Sequence, residues 1–384
     1  MPSTKWINRK LGDMVQFKTG KLNSNAASAD GFYPFFTCSR ETFRTDTYSF
    51  DTEAVLLAGN NASGVYPLKY FKGKFDAYQR TYVITTLDPD TITNKFLYYV
   101  LQPQLERLQT LSTGAATKFL TLTILKSLEV SIPPSHEQQR ITSILSAYDD
   151  LIENNTRRIE ILEVMARRLY EEWFVHFRFP GHEEVRFKES ELGEIPEGWG
   201  VVTIGDLVNI RRGKTITKKK IEPGTIPVVA GGLRPAYYHS TANTKAPLLT
   251  ISASGANAGH VSLYHEDVWA SDCSFIDTSE SQHVYFYYLL LKVRQEEVTH
   301  LQRGSAQPHV YPKDVMGLQA LNAPISLRES FLNHAAPMFR AIHTLLKKNT
   351  NLRAQRDLLL PKLVSGEIDI SDIPLPDDKK VEAA

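Results

Sequence analysis

Cysteine is nearly absent: of 384 residues only Cys38 and Cys273 carry thiols. Two thiols cannot build a thiolate zinc cluster, and a lone disulfide between distant segments does not suit a reducing compartment, so both are expected to be small buried side chains. Long hydrophobic runs are missing too. No apolar stretch reaches the length of a membrane span, and the opening MPSTKWINRK lacks the apolar core of a signal peptide, so the expected setting is the cytoplasm, with no membrane partner. Charge of one sign is also lacking. The 44 basic and 43 acidic residues leave +1 at pH 7, which argues against a generic nucleic-acid binder and throws attention onto local clusters.

Catalytic signatures are as scarce. A DNA amino-methyltransferase needs a carboxylate or amide followed by Pro-Pro-aromatic, whereas the one Pro-Pro here, Pro133-Pro134, precedes a helix. The Gly-Lys-Thr at 213–215 lacks the upstream glycine of a phosphate-binding loop, and the 11 histidines include no HExxH or other paired metal spacing. No catalytic residue and no metal ligand is assigned.

What is present is periodicity. From Ser135 to His176 the positions Ile141, Leu145, Tyr148, Ile152, Asn155, Ile159, Leu162, Ala166, Leu169 and Trp173 step by four and three, a heptad seam with one polar slot at Asn155. At 1.5 Å per residue the helix from Ile141 to Trp173 would span roughly 50 Å. A second seam follows from Ser326: Phe331, Ala335, Met338, Ile342, Leu345, Asn349, Leu352 and Leu359, with polar Arg356 at the step between the last two. Ser135 with Gln138, and Ser326 with Glu329, read as capping boxes opening the two helices. A polar residue in a seam costs stability and fixes register, so the two helices are expected to pair antiparallel with Asn155 and Asn349 close together. Trp173, Phe174 and Phe177, on the flank, could form a patch for a partner or part of a local core.

The chain is also a tandem duplication. LGDMVQFKTGK at 11–21 matches IGDLVNIRRGK at 204–214, an offset of 193. AVLLAGNNASGVYPLKYF from Ala54 answers APLLTISASGANAGHVSLYH from Ala246, FLYYVL pairs with YFYYLL, and LEVSIPPSHEQQRI pairs with LQALNAPISLRESF. Runs such as RTYVITT and SFID favour strands, and Gly and Asn punctuate loops. The expected fold is α+β: two copies of a mixed domain, each followed by a long helix, the helices pairing as an antiparallel coiled coil. The expected domains are 1–135, a spacer helix at 136–178, a second domain at 179–325, and a second long helix with the C-terminal tail at 326–384.

SIPPSHEQQRI, LYEEWFVHFRFPG, SELGEIPEGWGVVTIGDL and LLLPKLVSGEIDIS, set in a duplicated layout, resemble the specificity subunits of type I restriction-modification systems. The resemblance covers nearly the whole chain. It implies a non-catalytic subunit of an adenine DNA methyltransferase and ATP-dependent endonuclease complex. Two target-recognition domains would each read half of a bipartite double-stranded DNA site, with the helices as spacer and docking surface. The implied partners are two modification (methyltransferase) subunits and the restriction/translocase subunits. S-adenosylmethionine, ATP and Mg would be used by those partners, and this chain would bind no cofactor. A rigid spacer of this length puts the half-site centres about one DNA turn apart, near 10 base pairs, and unlike loops make the site asymmetric. The alternative is a structural adaptor whose paired domains bind proteins on a coiled-coil spacer.

A DNA reader must hold phosphates and present side chains to base edges. In the first domain Lys18, Lys21, Arg40, Arg44, Lys69, Lys72, Lys74 and Lys118 are candidates for phosphates, and Asn60, Asn61, Gln79 and Arg80 for base edges. In the second, Arg211, Arg212, Lys214, Lys218, Lys219 and Lys220 fall within ten residues with no acid among them. With them go Arg234, Ser252, Ser254, Asn257, Arg303, Gln307 and His309. The small residues of GNNASG and SASGANAG would let backbone approach the DNA closely.

Overall fold

The structure is a computed structural model describing residues 6–61, 64–114, 117–304, 307–370 and 373. The chain divides into two compact units, 1–153 with 349–384, and 154–348. The division falls inside two 40-residue helices, Ser135–Phe174 and Ile325–Val364. Among the described residues no helix is long and apolar enough to cross a membrane.

The first unit is built on a six-stranded sheet in the order 15–19, 81–86, 50–58, 68–77, 33–36, 43–45. All neighbours pair antiparallel except Tyr33–Phe36 against Leu68–Ala77, which run parallel. Its central strand, Phe50–Ala58, ends in five consecutive buried residues, as expected for a strand covered on both faces. Phe96, Leu97 and Val100 of the helix Asn94–Leu101 pack on one face with Val55, Leu57 and Ile84. Ile141 and Leu145 join that core from the first long helix, and Leu360, Leu363 and Val364 from the second. Gly20 is dictated by crowding: a Cβ there would lie 1.7 Å from the carbonyl oxygen of Ala77.

The second unit repeats this plan with one break. Where the first has the single ten-residue strand Leu68–Ala77, the second has Val261–Tyr264 and Trp269–Ala270, separated by His265-Glu266-Asp267-Val268. The sheet therefore splits into a four-stranded piece (211–212, 273–276, 248–252, 261–264) and a three-stranded piece (237–239, 226–229, 269–270). The interruption is held by hydrogen bonds: Asp267 Oδ1 accepts from the Ala246 amide at 2.8 Å, and Thr244 Oγ1 donates to the Val268 carbonyl at 2.8 Å. Its core gathers Tyr170, Trp173 and Phe174 of the first long helix with Phe331, Ala335 and Phe339 of the second, Phe286, and Trp199. Trp173 and Phe174 are thus core residues at 6% and 7% exposure, and Phe177 packs on Phe187 and Trp199.

One sequence expectation about the helices needs correction. Neither capping box forms, because the helices open one or two residues earlier: the Pro134 carbonyl accepts from Glu137 and Gln138, and that of Pro324 from Leu327 and Arg328. Gln138, 1% exposed, instead donates to the Thr91 and Pro133 carbonyls and accepts from the Thr93 amide, tying the helix start to a domain loop. The seams are buried unevenly. Ile141, Leu145, Ile152, Asn155, Ile159, Phe331, Ile342, Leu345 and Asn349 are buried, but Tyr148, Leu162, Leu169, Met338, Leu352 and Leu359 are only partly so. Tyr170, Phe339 and Leu360 carry the burial that a strict heptad assigns to their neighbours. A straight helix turns every 3.6 residues, so its buried stripe drifts off a 3.5-residue seam where it packs on a globular domain.

The break in the second sheet places a histidine pair. The His265 ring lies 5.1 Å from that of His343 and 5.9 Å from that of Tyr285. Burial, reinforced by His343, pulls His265 down from 6.5 to about 4, and His343 is itself lowered by burial and Lys347 against the opposing pull of Glu266. A histidine depressed in the folded state adds stability that is fully present above its unfolded value and is lost as pH falls through the window from 6.5 toward 4. The second unit should therefore unfold at lower urea at about pH 5 than at about pH 7, and His265→Gln should flatten that fall. Equal wild-type midpoints at the two pH values would contradict it.

Candidate nucleic-acid interface

In the first unit, chain-distant candidates meet at one place. Asn60–Asn61 forms a short strand paired with Lys118–Phe119, and Phe119 also exchanges backbone hydrogen bonds with Thr113 at 3.1 and 2.8 Å. GNNASG is therefore strand at Asn60–Asn61, while its Ala62 and Ser63 lie outside the described residues. The Gly59 amide donates to the Arg80 carbonyl at 2.8 Å, and the Leu120 amide to the Gly59 carbonyl at 2.9 Å. Cys38, partly exposed rather than buried, donates its thiol to Asn60 Oδ1 at 3.0 Å. Arg80 is exposed, with its guanidinium 5.5 Å from the centre of the Phe119 ring and no ion pair among the described residues. Gln79 donates to Asn23 Oδ1 at 3.0 Å.

The second unit builds the same frame from other side chains. The Ala253 amide donates to the Asp272 carbonyl at 3.2 Å, the Val310 amide to the Ala253 carbonyl at 3.0 Å, and His309 and Arg303 exchange hydrogen bonds at 2.9 Å. Ser254 bridges His309 as Asn60 pairs with Phe119. Hence Gly59 corresponds to Ala253, Asn60 to Ser254, Arg80 to Asp272, Thr113 to Arg303 and Phe119 to His309. The backbone is shared and the chemistry is not. Ser254 Oγ donates to Asp272 Oδ2, Arg303 is held by Asp314 at 2.7 Å, and His309 stacks on Tyr311. Gln307 is exposed beside this frame.

The remaining candidates separate by what already holds them. Lys69 is half-buried, its ammonium on the Glu41 carbonyl at 2.5 Å, and burial lowers its pKa to about 8. Arg44 donates to the Gly31 and Phe32 carbonyls, Lys72 faces Glu53 at 3.6 Å, and Lys74 lies over the Tyr48 ring. Arg211 faces Glu280 at 3.6 Å, Asn257 reaches the Gly231 carbonyl, and Ser252, only 6% exposed, donates to that same carbonyl at 3.1 Å. Lys18, Lys21, Arg40, Arg212, Lys214, Lys218, Lys219, Lys220 and Arg234 are exposed and make no ion pair among the described residues. Among the described residues no group of three or more His, Cys, Asp or Glu side chains could hold a metal ion.

The model of the type I restriction modification DNA specificity domain matches the chain over residues 3–164 and 196–319. The chain belongs to this family. Its two matched segments are the two copies of the frame. The chain is 25% identical to the EcoDI specificity subunit of Escherichia coli, covering 94% of this chain and 88% of that one. It is 28% identical to the MjaIX specificity subunit of Methanocaldococcus jannaschii over 74% of this chain and 71% of the other. The crystal structure of a type I restriction-modification S subunit from M. genitalium shares the fold, with a TM-score of 0.64 at 20% identity, covering 94% of this chain and 97% of that one. Two of the sequence-level expectations, the family and the repeated mixed α/β domain, are met. What sequence reasoning missed in this frame is Asp272, since candidates for phosphates and base edges were sought among basic, amide and hydroxyl side chains. Aligning RTYV at 80–83 with DCSF at 272–275 would have exposed it.

Proposed function

We propose that this chain is the DNA-reading subunit of a type I restriction-modification complex, each unit addressing one half of a bipartite, asymmetric site. The observation that carries this reading is the repeated frame: one set of backbone hydrogen bonds presents Asn60, Arg80 and Phe119 in one unit and Ser254, Asp272 and His309 in the other. One fold used twice with different side chains suits two different half-sites. The exposed cations that make no ion pair among the described residues, above all Lys218, Lys219 and Lys220, would hold phosphates, each contact making binding more sensitive to salt. The chain supplies recognition. Methyl transfer from S-adenosylmethionine and ATP-driven cleavage with Mg belong to partner subunits, two modification subunits among them.

The domains would follow the bounds 1–135 and 179–325, with the helices between and after them paired as an antiparallel coiled coil. Contacts inside each unit support that pairing. Asn349 Nδ2 donates to the Ile152 carbonyl at 3.3 Å in the first unit, and the Trp173 and Phe331 rings meet at 5.8 Å in the second. The test is to express the chain with its methyltransferase partner in a methylation-free host and map every modified base. The expected result is two short, different half-sites at a fixed gap, with one modified adenine in each. A stable complex that leaves no modified motif would replace this reading with the protein-adaptor one.

A further inference from the structure

At one position of the repeated frame the two units carry opposite charge. Arg80 and Asp272 both accept the amide one residue before the short pairing segment, from Gly59 at 2.8 Å and Ala253 at 3.2 Å. Both are flanked by the segment that follows an early strand of the domain, Val15–Thr19 in the first unit and Arg211–Arg212 in the second. In the first unit Leu22 bridges Tyr78 and accepts from the Gln79 amide, and in the second the Gly213 and Lys214 amides donate to the Cys273 and Ala270 carbonyls. Lys21 and Lys214 therefore come from equivalent places beside the two side chains. Arg80 is exposed and rests on Phe119 without an acidic partner among the described residues. Asp272 is partly exposed, accepts from Ser254 through Oδ2, and leaves Oδ1 without a hydrogen bond among the described residues.

We infer that Arg80 and Asp272 each set one base of their own half-site: Arg80 donates to a guanine edge, and Asp272 accepts from the exocyclic amino group of a cytosine or adenine. The inference rests on the DNA-reading function proposed above. A guanidinium matches the paired O6 and N7 acceptors of guanine, and a carboxylate matches only an amino donor. A carboxylate in a groove lined by phosphates is repelled unless such a donor meets it, so Asp272 also rejects the O6 of guanine and the O4 of thymine. Arg212, on the strand paired with Cys273–Ile276, and Lys214, just beyond it, would offset the phosphate field around it. The sign change at one framework position is a sufficient cause for an asymmetric site.

The experiment maps modified motifs left by the chain with its methyltransferase partner, as wild type, Arg80→Ala and Asp272→Asn. Arg80 makes no side-chain hydrogen bond or ion pair among the described residues, so its loss leaves folding intact, and Asn at 272 still accepts from Ser254. Thermal melting of each variant checks both. Arg80→Ala should relax one guanine position in one half-site, by on the order of 10- to 100-fold in preference, and leave the other half-site unchanged. Asp272→Asn should relax one position in the opposite half-site, and the base held there by wild type, cytosine or adenine, identifies the amino donor. A wild-type motif that neither variant alters, or a single half-site altered by both, overturns this inference alone. A folded wild-type complex that leaves no motif removes the DNA-reading function and this inference with it.

Discussion

Phe331→Ala should lower the stability of the second unit by about 4 kcal/mol, the largest effect expected of any single truncation here. The ring is fully buried and touches four others: Phe174 at 5.2 Å, Trp173 at 5.8 Å, Tyr170 at 6.0 Å and Phe286 at 6.3 Å. Three of these come from the first long helix and one from the domain, so the vacated space borders two elements that cannot close on it independently. Loss of transfer energy and a residual cavity together account for about 3–5 kcal/mol when a buried Phe is cut to Ala, the lost edge-to-face contacts included. Ordinary domains are stable by only about 5–15 kcal/mol, so the variant unit would be partly unfolded well below the wild-type midpoint. Urea unfolding followed by tryptophan fluorescence reads this unit preferentially, because three of the four tryptophans, Trp173, Trp199 and Trp269, lie in it. Ile325→Ala, on the same helix and in the same unit with a side chain 58% exposed, serves as the control and should change little. A fall below about 1 kcal/mol for Phe331→Ala would mean that the two helices and the domain do not share this core.

The long helices and the duplication were legible because both rest on periodicity, which survives in the residues whatever surrounds them. TYVITT and CSFI are strands, FLYYVL and YFYYLL are helices, and each unit's SIPP or NAPI segment leads into a long helix. The capping boxes were misread because Ser-x-x-Gln spacing does not say where a helix starts. Pro134 and Pro324 each supply the first accepting carbonyl, which leaves Gln138 free to bond the domain. The candidate interface was legible as a set of loops but not as an arrangement. Nothing in spacing shows that Ser252 lies on a buried strand, that Lys69 is held by a loop carbonyl, or that Arg80 and Asp272 share a position, because each depends on strand pairing between distant segments. Cys38 shows the same limit, since its partner, Asn60 on a short strand, is 22 residues away in the chain.

Arg356 interrupts an apolar seam, and its removal should cost the first unit about 2–4 kcal/mol. Its Nη1 donates to Asp149 Oδ1 at 2.6 Å, and the Tyr99 hydroxyl donates to Asp149 Oδ2 at 2.7 Å, so one carboxylate joins the domain to both long helices. Burial and the hydrogen bond to Asp149 raise the Tyr99 hydroxyl far above the usual tyrosine range, which keeps it a donor. The Arg356 and Asp149 side chains are 21% and 23% exposed, so solvent screens the pair in part and the cost falls below that of breaking a fully enclosed one. The second contact of Arg356, to Asp357 at 63% exposure, adds little. In Arg356→Leu the loss comes mostly from leaving the Asp149 charge without its partner, not from the value of the pair itself. Asp149→Asn with Arg356→Leu removes both charges and keeps an acceptor for Tyr99, so the double variant should recover to within about 1 kcal/mol of wild type. Urea midpoints of the two single variants and the double variant decide the matter. If the double variant loses the sum of the single losses, Asp149 and Arg356 act independently and the polar residue in the seam needs another explanation.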